Sequence, residues 1–215
     1  MLSAPANALA FSVDDAFDRD AACNLYNLQG LDGADCDRAL AQLYLPAGVP
    51  NHLRKISCIA IAGTVQGQFL LQYLDTSDGE KGLLADFFRR FACDSTMFAG
   101  YDSTRQLDHL RCRAFVNGVT FGEQQAEDVS ALLSGVGAHA PPLNEVCQQM
   151  GLPHGPVLDC LQRAVQVYLL SLRLAFCKEQ INADMLTQRE TQVRTALAAR
   201  DDSAWPAFAG SWRQE

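Results

Sequence analysis

Basic residues are scarce in this sequence: 17 Lys and Arg stand against 25 Asp and Glu, a formal charge of −8. That is the reverse of the footprint of a protein that grips nucleic acid through its phosphates, so strong non-specific nucleic-acid binding is not expected, although the total leaves room for a local basic groove. Paired cysteine spacing is also missing. The eight cysteines (Cys23, Cys36, Cys58, Cys93, Cys112, Cys147, Cys160 and Cys177) are scattered, with no CxxC to place thiolates around zinc. They read as small buried hydrophobes in a reducing compartment. Neither GxxxxGK[ST] nor GxGxxG occurs, which excludes nucleotide hydrolysis by a P-loop mechanism. No apolar run reaches membrane-spanning length, and no N-terminal stretch joins a charged start to an apolar run and a cleavage signal. The expectation is a cytoplasmic protein without membrane association. Internal repeats and low-complexity linkers are absent as well.

What is present is enough apolar matter for one core: 215 residues, 48% of them hydrophobic, predict one globular domain. ALAFSV reads as a buried strand, RDAACNLYNL and ADCDRALAQLYL as amphipathic helices, the second stopped by Pro46 and Gly48. KISCIAIAGTV and QFLLQYL, joined by a two-residue QG turn, predict a hairpin. Asp78 is placed to cap a helix whose stripe is Leu83, Leu84, Phe87, Phe88 and Phe91. STMFAGY predicts a short strand, and a helix follows from Thr104 to Asn117, ended by Gly118. AEDVSALLSG, PLNEVCQQMG and LDCLQRAVQVYLLSLRLAFC are helical by periodicity, with Gly135 and Gly151 as C-terminal caps. The predicted division is a body over residues 1–178 and a helical tail over residues 179–215, whose Trp205, Phe208 and Trp212 either close the core or form a partner patch.

The candidate chemistry is acidic. Asp14 and Asp15 have the form of a metal pair, but acidic residues at a strand end more often face water or cap the next turn. Asp102, Asp108 and Asp128 are candidate displaced ligands, with Asp108 and Asp128 the better combination after a register slip. His109 lacks a visible nucleophile to serve as its base, so a surface or helix-facing histidine is the expectation. Arg89, Arg90, Arg105, Arg111 and Arg113 read as a groove remnant, as solvated faces or as partners for local acids.

The run EKGLLADFFRRF followed by STMFAGYDSTRQLDHLRCRAFVNGV resembles the centre of the predicted 3′→5′ exonucleases related to the proofreading domain of family-B DNA polymerases. Leu107, Leu110, Arg113, Ala114 and Gly118 fall in register with that family's WNGxxFDLPVLxxRALxxG. AFSVDDAFDRDAAC is similar to its first strand, AEDVSALLSG to HxDLxDLLSG, LNEVCQQMGLP to LDEIAxLLGxP, and LDCLQRAVQVYLLSLRLAF to YCxxDVxxTYLxYLRF. The resemblance implies an α/β, ribonuclease-H-like fold: a mixed sheet of about five strands flanked by helices, with the tail helical. It also implies cleavage by two divalent metals held by four carboxylates, since two cations about 3.5–4 Å apart must be neutralised while they position water and the leaving oxygen.

The aligned positions depart from that chemistry. The four carboxylates fall on Ser12, Asp14, Gln106 and Arg163, and the tyrosine that would orient water falls on Asp159. One negative and one positive charge sum to zero, where the family offers four negative charges to two doubly charged ions. A guanidinium about 5 Å from a divalent cation repels it by about 6–7 kcal/mol at an effective dielectric near 20. Arg163 is therefore expected to turn its planar fork onto Asp14. The segments filled here by TFGEQQ and PHGP are also shorter than the family's substrate-side insertions. The expected function is a catalytically inactive exonuclease-like module for binding or scaffolding, without cofactor or metal, with a protein partner or self-association ahead of weak nucleic-acid binding. The alternative is a working exonuclease that recruits magnesium or manganese through Asp14 and displaced carboxylates.

Overall fold

The computed structural model describes residues 8–44, 48–91, 97–123, 125–134, 140–200 and 204–213. Pro46, Cys93, the start of STMFAGY and Gly135 lie outside the described residues, as do the side chains of Arg90 and Phe91. Strand β1 (Ala8–Phe17) leads into helix α1 (Arg19–Leu25) and helix α2 (Gly33–Tyr44). After a 3-10 turn at Asn51–Leu53 come β2 (Arg54–Val65), β3 (Gln68–Asp75), α3 (Gly79–Phe91), β4 (Met97–Gly100) and α4 (Ser103–Val116). The remainder is β5 (Ala126–Asp128), a 3-10 turn at Val129–Leu132, α5 (Leu143–Gln149), α6 (Cys160–Cys177), α7 (Ala183–Ala198) and α8 (Ala204–Gly210).

The strands make one five-stranded sheet in the order β3-β2-β1-β4-β5. β1 runs antiparallel to β2 and parallel to β4, β2 pairs antiparallel with β3, and β4 pairs parallel with β5. This mixed sheet flanked by helices is consistent with a ribonuclease-H-like layout. The hairpin turn is the QG pair: Gln66 and Gly67 both have positive φ (50° and 83°), the geometry that matches the twist of antiparallel strands.

Both faces of the sheet are covered, and the strand period of two assigns them different residues. Leu9, Phe11, Ile59, Ile61 and Phe98 point to one side, where Leu83, Leu84, Phe87 and Phe88 of α3 and Leu107, Leu110 and Ala114 of α4 close over them. Ala10, Ala60, Ala62 and Ala99 point to the other, where α6 lies. Small residues on that face let α6 settle against the strands, and Val165, Tyr168, Leu169 and Leu172 of the helix are buried. The alternation of isoleucine and alanine along CIAIAG is thus a two-layer instruction. Trp205, Phe208 and Trp212 are buried in the same cluster as α6, so these tail aromatics are core rather than exposed patch.

AEDVSALLSG differs from expectation. It is not a helix: Ala126–Asp128 is the parallel edge strand β5, and Val129–Leu132 makes a single 3-10 turn started by the Asp128 carboxylate accepting from the Ser130 N–H at 2.9 Å. Three residues are too few to display a strand period, and the spacing of Val129, Leu132 and Leu133 imitates a helical turn. Among the described residues, no helix is long and apolar enough to cross a membrane.

Candidate functional site

The cleft that holds the predicted positions opens where β4 and β5 end and α4 and α6 begin, the usual place for a site in an open α/β sheet. It encloses about 780 Å³ and is lined by Ser12, Tyr101, Asp102, Gln106, Asp128 and Arg163 among others. Ser12 is buried on β1, on the face turned towards α6. Asp159 is the N-cap of α6, in a reciprocal capping box with Gln162: its carboxylate accepts from the Gln162 N–H at 2.7 Å, and the Gln162 side chain accepts from the Asp159 N–H at 3.2 Å. That box fixes the start of the helix and so places Arg163 one turn in, next to Ser12 and Asp14.

Arg163 turns onto Asp14, as the opposite charges require. One terminal nitrogen donates to Asp14 Oδ1, Nε donates to the Ser12 hydroxyl at 3.3 Å, and the other terminal nitrogen donates to the Leu158 carbonyl at 2.8 Å. All the guanidinium nitrogens therefore have partners, which holds the fork in one orientation. Gln106 also borders the cleft, where its amide nitrogen donates to the Tyr101 carbonyl at 2.6 Å. Ser12, Gln106 and Arg163 share one cavity, and Asp14 joins them through Arg163; Asp159 is a capping group instead.

Of the displaced acids, Asp102 and Asp128 line the same cleft, each already engaged, and Asp108 is not among its lining residues. Asp128 Oδ1 accepts from the Asp102 N–H, the Ser130 N–H and the Ser130 hydroxyl at 3.1, 2.9 and 2.6 Å. Asp102, held at φ 58°, binds Arg105 through its carboxylate. Asp108 is exposed and 3.5 Å from Arg111. Arg89 and Asp86 form the same three-residue pair, so Arg89, Arg105 and Arg111 serve local acids, whereas Arg113 does not.

Asp14 and Asp15 do not converge as a metal pair, because adjacent strand residues face opposite ways, and each is ion-paired, Asp14 partly exposed and Asp15 less so. Asp14 points towards α6 and Arg163, whereas Asp15 binds Arg54 at 2.6 Å on the α4 side. His109 is buried there, not at the surface. Its Nε2 donates to the Arg54 carbonyl at 2.7 Å and its Nδ1 lies 3.4 Å from Asp15. Burial pushes the imidazole below its ordinary pKa, against the opposing pull of the Arg54 carbonyl and Asp15.

Nearby, Arg113 is a buried ion. Its Nε and one terminal nitrogen grip both oxygens of Glu80 at 2.8 and 2.5 Å, and the other terminal nitrogen donates to the His52 carbonyl. Glu80 also accepts from the Ile56 N–H at 2.7 Å and from the Asn117 amide at 3.1 Å. Burial raises the Glu80 pKa, but these donors, Arg113 foremost, lower it more, and the net direction is down.

The sequence reading did not anticipate a cysteine cluster. Cys58 lies directly opposite Asp14 in the β1–β2 ladder, where a bulge pairs Asp15 with Ile56. Cys160 is the first residue of α6 and its thiol donates to the Ser12 carbonyl at 3.1 Å. The Cys58 thiol approaches Asp14 Oδ2 at 3.8 Å. The closeness of the two thiols makes Cys58 the more acidic and pushes Cys160 upward, and the neighbouring Cys58 together with burial lifts Tyr73 to about 12. The available signal was the alternation itself: Cys58 has the parity of Ala60 and Ala62, hence the face of α6. No family model matches the chain, and no curated protein matches it.

Proposed function

We propose that the protein is a catalytically inactive relative of the proofreading-type 3′→5′ exonucleases, kept as a binding or scaffolding module for a protein partner in the cytoplasm. The observation that carries this reading is the Arg163 guanidinium bound at once to Asp14 and Ser12, two positions aligned with metal-binding carboxylates. The aligned positions Ser12, Asp14, Gln106 and Arg163 sum to neutrality, so twin hard cations meet no compensating charge. The acidic total favours a protein over a nucleic acid as the partner.

The test incubates the purified protein with labelled single-stranded DNA and RNA in magnesium and then in manganese. No cleavage above the chelator control is expected, and Asp14→Ala leaves that background unchanged. Metal-dependent cutting abolished by Asp14→Ala overturns the reading in favour of a working nuclease. Size-exclusion chromatography with light scattering then reports self-association, and salt-sensitive binding of oligonucleotide tighter than that of other acidic proteins would displace the protein-partner assignment.

A further inference from the structure

Among the described residues, Asp14, Cys58 and Cys160 form a convergent set of metal-ligand atoms, each within 4.8 Å of the others. They come from β1, β2 and the first residue of α6, so the pleat, the register and the capping box must all be in place for them to meet. The two carboxylate oxygens of Asp14 have separate duties. Oδ1 is taken by Arg163, while Oδ2 is turned to the Cys58 thiol at 3.8 Å. We infer that Oδ2 of Asp14 and the sulfurs of Cys58 and Cys160 form a binding site for one thiophilic divalent cation, zinc by its ligand chemistry.

The geometry and the charge both suit zinc. Tetrahedral coordination with Zn–S near 2.3 Å and Zn–O near 2.0–2.2 Å sets ligand atoms roughly 3.5–3.8 Å apart, so the present spacing needs small side-chain adjustments only. Two thiolates and a carboxylate carry three negative charges; zinc and Arg163 carry three positive ones. Binding exchanges one Zn²⁺ for the two thiol protons, which leave to solvent, and the net charge of the cluster does not change. Arg163 becomes the outer partner that orients Asp14, the relation commonly found behind ligating carboxylates. Both cysteines are buried, whereas the Asp14 side chain retains 41% of its exposure, so the fourth position faces water. Sulfur ligands select against magnesium. The site thus uses Asp14 without restoring twin-metal chemistry, and its existence does not depend on whether the chain cuts nucleic acid.

The experiment titrates the reduced, chelator-stripped full chain with Co²⁺ alone and reads the sulfur-to-cobalt charge-transfer band and the tetrahedral d–d bands; Zn²⁺ is then added. Saturation at a single equivalent, with bleaching by zinc, is expected. Cys58→Ser and Cys160→Ser each abolish the sulfur band, Arg163→Gln weakens binding by roughly 10–100-fold, and Cys177→Ser, at an exposed cysteine, changes nothing. Should a cysteine variant fail to fold, the near-isosteric Asp14→Asn provides the second reading: zinc raises the melting temperature of the parent and not of this variant. A sulfur–cobalt band that survives in the Cys58→Ser/Cys160→Ser double variant overturns the assignment. So does a parent that takes up no cobalt, including one in which mass spectrometry finds Cys58 joined to Cys160 by a disulfide.

Discussion

Replacing Arg113 by methionine removes one member of a pair that has almost no access to water: the side chains of Arg113 and Glu80 are 4% and 10% exposed. Methionine keeps much of the aliphatic volume but none of the donors. Glu80 is then left as a buried carboxylate with only the Ile56 N–H and the Asn117 amide, and the His52 carbonyl loses its donor. Breaking a buried pair from one side costs about 3–5 kcal/mol, because the remaining charge is uncompensated. For a chain of this size each kcal/mol moves the melting temperature by about 2–4 °C, so the expected fall is about 6–20 °C. Glu80→Gln in the same chain removes the stranded charge while its amide oxygen still accepts from Ile56. The double variant should therefore recover part of the loss, with a coupling energy of about 0.5–3 kcal/mol. Chemical denaturation of the four proteins measures the cycle. A loss under about 1 kcal/mol for Arg113→Met, or a double variant equal to the sum of the singles, would refute the reasoning.

Glu80 also predicts an acid limb. Its native pKa lies below the ordinary value of 4.5, so as pH falls through that value the unfolded chain binds the proton first; stability present above this range drains away below it, and Glu80→Gln flattens the limb in urea melts across pH. Arg163→Ala should change stability by only about 0–1 kcal/mol, since both partners are partly exposed, and should not create magnesium-dependent nuclease activity; a gain of cutting would show that the arginine alone suppresses the chemistry. Gly63→Ala should destabilise by about 1–3 kcal/mol, because its Cβ would fall 2.4 Å from the Ala8 carbonyl oxygen; an unchanged melting temperature would mean that β1 and β2 can part there.

The hairpin, the α3 stripe and α6 were readable because each carries its period over enough residues: Ile59 and Ile61 alternate with Ala60 and Ala62, and the QG pair supplies the turn. β5 was not, since Ala126–Asp128 is too short to alternate and owes its strand form to pairing with β4. The contact of Arg163 with Asp14 followed from charge once the order of segments placed the two together. The opposite facing of Asp14 and Asp15 was available in principle, but only with β1 extended past Val13 to Phe17, where a bulge carries it. The meeting of Cys58 with Cys160 needed register and helix start together, which spacing along the chain does not encode. His109 looked like a surface group because its partner, the Arg54 carbonyl, is a backbone atom that no side-chain pattern announces, and Arg113 because its main partner, Glu80, stands 33 positions away.

The contacts between β1 and the start of α6 join residues 148 to 151 positions apart. Closing so long a loop carries a large entropic toll before any contact repays it. During synthesis, therefore, β1 waits without its arginine until nearly the whole body has emerged from the ribosome. The Ser12–Asp14–Arg163 junction is a seal set late, and a chain truncated ahead of α6 would leave Asp14 on the central strand without its arginine.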